Sequence, residues 1–387
     1  MDEIRGGPVS RARNLAGLIA ACADTIEDTR RLPRRLLDAL HQARLFRMLL
    51  PLSIGGDEVA PTAYVEAVEE LARHDGSVAW CVSIANSTAL IAPYLSPEAA
   101  YKIFGPPRAV VAWGPPNEAT AQAVPGGYRI SGRWGFASGC RHATWMGAHG
   151  RVIEPDGSFR LTPSGRPAVL TWLFPVAAAR RLDTWDTIGL RGTASDEYEV
   201  EDLFVAEEFT ATREDPSLRR EPGPLYAFPQ QTLYSVGIAA VALGIARGML
   251  DAFVALAREK APRGQVRLAD SAVVQSEIAQ AEARLGAARA YLLDTLAAVY
   301  AACGAAAPID IPARARVRLA ASHAIHSAVS VADFTYRAAG VDAIFVGSDF
   351  ARRFRDIHTL TQQIQSRVGH FEAIGQILLG SMPEQFF

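Results

Sequence analysis

A mostly helical α+β protein built of three consecutive parts is what this sequence predicts, and three observations carry that expectation. Up to residue 109, apolar residues recur at helical spacing. From residue 110 the apolar runs become short and alternating, and glycine and proline break them. Beyond residue 223, four long alanine-rich segments return to helical periodicity with short loops between them. The expected parts are an N-terminal helical domain over 1–109, a small central β-barrel or β-sandwich domain over 110–212, and a C-terminal four-helix bundle over 213–387.

A chain of 387 residues, 49% of them hydrophobic, can bury a large core. Its net charge of −2 offers no basic field for nucleic acid or an anionic membrane. Cys22, Cys81, Cys140 and Cys303 lie far apart and show no metal spacing, as expected of reduced thiols in a cytoplasm. The N-terminus has no apolar h-region, and the uncharged run 236–246 is far shorter than the ~20 residues a membrane span requires. A soluble cytoplasmic protein without metal is expected.

The elements follow in order. Leu15, Leu18, Ile19 and Cys22 mark one helix, and Leu36, Leu37, Leu40 and Leu45 mark a second, with Pro33 expected in its first turn. Gly55-Gly56 and Pro61 lead into an amphipathic helix over 64–74. Asp75-Gly76-Ser77 breaks it, 78–90 begins the next, and Pro97 opens a short one that ends before Gly105-Pro106-Pro107. Strands are expected at 110–113, 128–130, 145–152, 168–174 and 198–205, and a charged linker at 213–223. Bundle helices are expected over 226–260, 269–303, 311–339 and 349–379. Gly237, Gly244 and Gly248 in the first would let a neighbour approach closely. Apolar residues on more than one face of these helices predict burial against other copies of the chain.

The chemistry concentrates in the stretch 126–145, GGYRISGRWGFASGCRHATW. After a Gly-Gly turn, Tyr128 and Ile130 alternate with Arg129 and Ser131, and Trp134 and Phe136 form a second short run, the pattern of paired short strands. Ala137-Ser138-Gly139-Cys140 follow, small residues that let the backbone approach a flat ligand. An aromatic, a hydroxyl and bare backbone N–H groups suit an isoalloxazine ring, with Phe136 against its face and Ser138 at its edge. An ordinary hairpin with a buried aromatic accounts for these residues equally well.

Gly127-Tyr128, the run 131–134, the run 136–139 and Trp145 resemble the flavin-binding segment of the acyl-CoA dehydrogenase superfamily. More closely, they are similar to the two-component flavin-dependent monooxygenases of that fold, which hydroxylate aromatic compounds. The order of helical domain, β domain and bundle is similar to that superfamily along nearly the whole chain. The resemblance implies Ser138 at flavin N5, and reduced FAD or FMN delivered by a separate NAD(P)H:flavin reductase. It further implies reaction with O2 to a C4a-hydroperoxide, oxidation of an aromatic small molecule, and a homotetramer. It implies that Trp113 and Pro115 lie along the flavin ring with Gly139, and that Arg263 reaches the flavin phosphate, for which guanidinium is suited. A solvated basic loop explains Arg258, Arg263 and Arg267 equally well. The run 185–195 and the pair Arg355-Asp356 resemble two further family hallmarks and are expected to be structural.

Two departures bear on the reaction. Acyl-CoA dehydrogenases place a glutamate base seven or eight residues beyond the Arg-Asp pair, where Gln363 and Ile364 stand here. The alternative location falls near Tyr234, and no Glu lies between Tyr226 and Met249. A neutral amide or phenol cannot replace a carboxylate base, so a dehydrogenase or oxidase would have to work without one. Related monooxygenases generally carry histidine where Gln363 stands. An amide can hydrogen-bond but not exchange a proton as imidazole does, which makes His142 and His358 the expected substitutes. The expected substrate pocket comprises Asn86, Trp113, Tyr234 and Gln363. No dinucleotide fingerprint is present, which fits an enzyme that receives its flavin already reduced.

Overall fold

The computed structural model describes residues 6–383 apart from 116, 118, 163, 164, 213, 214 and 305–307. Six helices come first: α1 (Pro8–Arg13), α2 (Ala16–Thr29), α3 (Arg34–Gln42), α4 (Pro61–Ala72), α5 (Gly76–Ala89) and α6 (Pro97–Phe104). Pro8, Pro61 and Pro97 each open a helix, where a missing N–H costs nothing. Pro33 stands one place earlier than expected, as the N-cap of α3. Asp75 caps α5 by accepting the Val78 N–H, and every residue of α5 is buried. A helix with no polar face belongs at the centre of a protein.

Among the described residues, eight strands form one sheet: β1 (Val111–Trp113), β2 (Thr120–Val124), β3 (Gly127–Trp134), β4 (Trp145–Ile153), β5 (Val169–Pro175), β6 (Arg180–Leu182), β7 (Glu197–Ala206) and β8 (Thr210–Ala211). Their order is β6-β7-β3-β2-β4-β5-β8, with β1 alongside β4. The expected pair of short strands after Gly126 is instead one strand, β3, with a bulge between Ile130 and Gly132. The Ser131 hydroxyl accepts the Asp202 N–H across that irregularity and keeps β3 on β7. The hairpin partner of β3 is β2, reached through Pro125-Gly126 with Gly126 at φ 78.

Among the described residues, five further helices follow: α7 (Gln230–Glu259), α8 (Ala272–Ala302), α9 (Ile311–Ala339), α10 (Asp349–Thr361) and α11 (Gly369–Leu378). The fourth expected bundle helix is thus broken. After α10 the Gln363 side chain accepts the Gln365 N–H and caps a turn over Ile364–Ser366, and Gln365 bonds to Arg318 and Gln231. By length and composition α7 could cross a membrane, but 72% of its apolar window is buried inside the protein, as in a core helix. A Cβ added at Gly244 would strike the Glu69 carbonyl of α4, and one at Gly237 would strike the hydroxyls of Tyr64 and Ser83. These glycines bring α7 directly onto α4 and α5.

Candidate active site

Ser138 sits in the turn that follows β3. Phe136 and Gly139 hold positive φ angles of 60° and 81°, and the Ser138 N–H bonds back to the Phe136 carbonyl. Ala137, Gly139 and Cys140 donate their N–H groups to the carbonyls of Asp196, Thr193 and Ala137. The bare N–H groups expected here are therefore all occupied, because the turn is pinned to the segment before β7. What it presents is side chains. Phe136 is 69% exposed, with its ring edge-on to Trp185 at 6.3 Å, while Ser138 is buried.

Ser138 Oγ accepts the indole N–H of Trp80 at 2.9 Å and lies 2.7 Å from Ser195 Oγ. Ser195 Oγ lies 2.7 Å from Thr193 Oγ1, which donates to the Leu190 carbonyl at 2.9 Å. The Leu190 N–H in turn donates to Asp356 Oδ1 at 2.6 Å, and its carbonyl also accepts Trp185 Nε1 at 3.0 Å. Arg355 donates to the Ile188 carbonyl at 2.8 Å and pairs with Glu27 at 2.6 Å. The two hallmarks at 185–195 and 355–356 thus form one joint between the β domain and α10. Its backbone is held in an unusual conformation, Leu190 and Ala194 having φ 49° and 46°. Burial and the nearby Asp75 push the Asp356 carboxyl up to about 7. Trp80, Thr193 and Ser195 are the site residues that sequence reasoning missed. The Thr-x-Ser spacing at 193–195 was visible, but its partner 55 residues upstream of Thr193 in the turn at Ser138 becomes apparent only from the hydrogen bonds.

Trp113 closes β1 with its ring edge-on to His149 at 5.0 Å, and Pro115 follows it. Pro116 lies outside the described residues. Asn117 serves its own turn, donating to the Arg133 carbonyl and accepting the Ala119 N–H. Asn86 is not a pocket residue. Its amide donates to the carbonyls of Leu45 and Val82 and accepts the Leu49 N–H, so it fastens α5 to the chain around residue 47. Tyr234 and Gln363 do come together: the Gln363 amide donates to Tyr234 Oη at 2.7 Å. Gln363 stands after α10 instead of on a helix, and its carbonyl already holds Gln365. Burial raises the Tyr234 phenol above its ordinary range.

His142 packs 5.8 Å from the Phe46 ring, and its buried Nε2 has no partner among the described residues. Burial and His41 depress it to about 4, so it is neutral at pH 7 and no proton donor of imidazolium type. A Cβ at Gly139 would come within 3.1 Å of that nitrogen. His358 is not a free substitute either, because Asp333 on α9 holds its Nε2 at 2.9 Å and the Phe354 ring packs against it, tilted, 4.3 Å away. Arg263 projects from the exposed turn after α7, whereas Arg267 is tied to Asp270.

Between the Ser138 turn and α7, the helix that carries Tyr234, runs α5. Trp80 reaches Ser138 from it, and Ser83, one turn on (about 4.5 Å along the axis), bonds to Tyr64 at 2.9 Å beside α7. An exposed aromatic, a buried hydroxyl and an orphaned imidazole nitrogen against Gly139 fit a flat heteroaromatic ring with a polar edge.

A helical domain, a strand domain and a bundle meeting at such a turn define the scaffold of a flavoprotein. Residues 236–367 match the family model "Acyl-CoA dehydrogenase, C-terminal domain", and residues 12–103 match "Acyl-CoA dehydrogenase, N-terminal domain". The chain is 32% identical over 359 residues to the indole-3-acetate monooxygenase of Pseudomonas putida, covering 92% of this chain and 89% of that protein. It is 31% identical over 348 residues to the flavin-dependent monooxygenase oxygenase subunit HsaA of Rhodococcus jostii (strain RHA1), covering 87% and 88%. The structure of XiaF from Streptomyces sp. in complex with FADH2 and glycerol superposes with a TM-score of 0.89 at 25% identity, covering 98% of this chain and 96% of that one. The chain belongs to the acyl-CoA dehydrogenase superfamily and, within it, to the flavin-dependent monooxygenases.

Proposed function

We propose that this chain is the oxygenase component of a two-component system that hydroxylates a small aromatic molecule with reduced flavin and O2. The flavin comes reduced from a separate NAD(P)H:flavin reductase. Relatives named as an indole-3-acetate monooxygenase, an oxygenase subunit and the oxygenase component of a resorcinol hydroxylase support the substrate class and the division of labour. The observation that carries the reading is the Tyr234–Gln363 hydrogen bond. Where a dehydrogenase needs a carboxylate to take a substrate proton, this protein pairs a phenol with an amide, neither of which is a base at pH 7.

When bound, reduced flavin supplies the two electrons that split O2, one oxygen atom going to the substrate and the other leaving as water. Ser138 would hold the N5 edge of the ring, with Phe136 and Trp113 as aromatic neighbours and Gly139 allowing close approach. Arg263 would meet the flavin phosphate of a neighbouring copy, a role for which guanidinium is suited. Burial keeps the proton on Tyr234, and because Gln363 donates to the phenol oxygen, the O–H is left to give a hydrogen bond to the reacting oxygen. Gln363 orients that phenol instead of touching oxygen itself. The assembly is a homotetramer in a reducing cytoplasm, in keeping with four unpaired cysteines.

The reading is tested by loading the protein with reduced FAD or FMN and supplying 18O2 with simple indoles and phenols. One labelled oxygen atom in the product is expected. Release of all the oxygen as hydrogen peroxide with every aromatic offered, or flavin-coupled desaturation of an acyl thioester, would overturn it.

A further inference from the structure

The direction of each hydrogen bond around Ser138 can be fixed from donor chemistry alone. A carbonyl only accepts, so the Thr193 hydroxyl spends its one proton on Leu190. The 2.7 Å contact between Thr193 and Ser195 must then use the Ser195 proton. The 2.7 Å contact between Ser195 and Ser138 must use the Ser138 proton. An indole N–H only donates, so Trp80 occupies one lone pair of Ser138 Oγ. Ser138 is left with one lone pair and no proton to give. All four side chains are buried, so no solvent competes for these bonds.

We propose that Thr193 and Ser195, acting through Ser138, make this site selective for the redox state of flavin. Reduced flavin carries a hydrogen on N5 and can donate to the spare lone pair of Ser138. Oxidised flavin has only a lone pair on N5 and would face another lone pair across the contact. Thr193 and Ser195 are positioning residues: they touch no flavin atom, but they set the sign of the one contact that differs between the two forms. Spent flavin is thereby released and reduced flavin retained, as a diffusible co-substrate requires. The inference rests on the placing of flavin N5 against Ser138.

The test measures Kd for reduced flavin, anaerobically, and for oxidised flavin, on the full chain and its variants. The unaltered protein is expected to bind the reduced form at least about tenfold more tightly, the size of one hydrogen bond. Ser195→Ala and the nearly isosteric Thr193→Val each free the Ser138 proton. Each should tighten oxidised flavin about tenfold while changing the reduced form little, and the midpoint potential of bound flavin should fall by about 30 mV. Thr193→Ser keeps the hydroxyl and should restore the original ratio. General damage to the fold would weaken both forms and could not tighten one.

Equal affinity for the two forms in the unaltered protein would overturn the proposal. So would unchanged oxidised-flavin affinity in both Ser195→Ala and Thr193→Val, provided Ser138→Ala still weakens the reduced form. If Ser138→Ala leaves both affinities unchanged, the placing of N5 against Ser138 itself is wrong, and the selectivity falls with it.

Discussion

Burial sets the protonation of single groups in this protein, and their hydrogen-bond partners set how they are oriented. Tyr234 and Gln363 show it at the site. Replacing the phenol with Tyr234→Phe is expected to cut product formation by roughly 10²-fold, the lower end of what a positioned proton is worth, while O2 is still consumed. Gln363→Ala should lower product formation on the order of a few-fold, since it only orients the phenol. Normal coupling of O2 to product in Tyr234→Phe would show that the proton comes from elsewhere. Asp356 shows the same logic in stability. Its folded pKa of about 7 lies above the ordinary 3.8, with burial the main cause and Asp75 next. Between those values the folded state binds more protons than the unfolded chain. Stability should therefore be greatest below pH 4 as far as this group is concerned, and it is lost as pH rises toward 7. Asp356→Asn keeps an acceptor for the Leu190 N–H and removes the charge, so its unfolding free energy relative to the parent should improve from pH 4 to pH 8. Chemical denaturation at several pH values measures this, and parallel pH profiles would refute it. The turn at Ser138 was legible in the sequence because it sits in a local pattern of glycine, aromatic and hydroxyl. Trp80 and Asn86 were not, because both are buried on one helix and only the tertiary partner decides which of them faces the site.

At the level of elements, helices were legible wherever periodicity was long, and strands where bulky apolar residues formed a run, as at 110–113 and 168–174. β2, β6 and β8 escaped notice because each is short and lacks a run of bulky apolar or aromatic side chains to separate it from loop, as in Thr120–Val124. The break after α10 was invisible for a different reason. No glycine or proline marks 362–368, and the chain turns there because Gln363 caps the turn and Gln365 is drawn to Arg318 and Gln231. The glycines of α7, by contrast, could be read in advance as places of close approach, and they give the sharpest test at this scale. Gly244→Ala puts a methyl group into the Glu69 carbonyl and against Ala72, so α4 and α7 must separate. A loss of about 1–3 kcal/mol is expected, as for other overpacked contacts. Gly286 of α8 is exposed and has nothing within 4 Å of an added Cβ. There Gly→Ala should stabilise by about 0.5–1 kcal/mol through helix propensity alone. Thermal unfolding of the two variants should shift in opposite directions. A Gly244→Ala protein as stable as its parent would show that α4 is not held against α7.

Over the whole molecule, the apolar surface is distributed unevenly, and this bears on assembly. Val341, Ile344, Phe345 and Val346 follow one another after α9 and are each at least 64% exposed. Ile364, Val368, Leu378 and Leu379, around and after the break in the last helix pair, are also exposed. A monomer rarely leaves such a run of large side chains in water, and a net charge of only −2 offers little repulsion between copies. Covering Phe345 and its neighbours recovers roughly 25 cal/mol for each Å² of apolar area removed from water, which favours association over exposure. The expected species is a homotetramer, four times the 41.6 kDa of the chain, in light scattering at micromolar concentration. Ile344→Asp with Phe345→Asp, both placed on the surface and away from the Ser138 chain, should shift the mass toward dimer or monomer while far-UV circular dichroism is preserved. Flavin binding then separates two ways of building the site. If Arg263 serves the flavin phosphate of a neighbouring copy, the dissociated double variant should lose affinity for FAD and FMN to the same extent as Arg263→Ala. A monomeric mass for the unaltered protein would remove the tetramer and with it the role given to Arg263. A tetramer whose dissociation leaves flavin affinity intact would keep the assembly but make each Ser138 site complete within one chain.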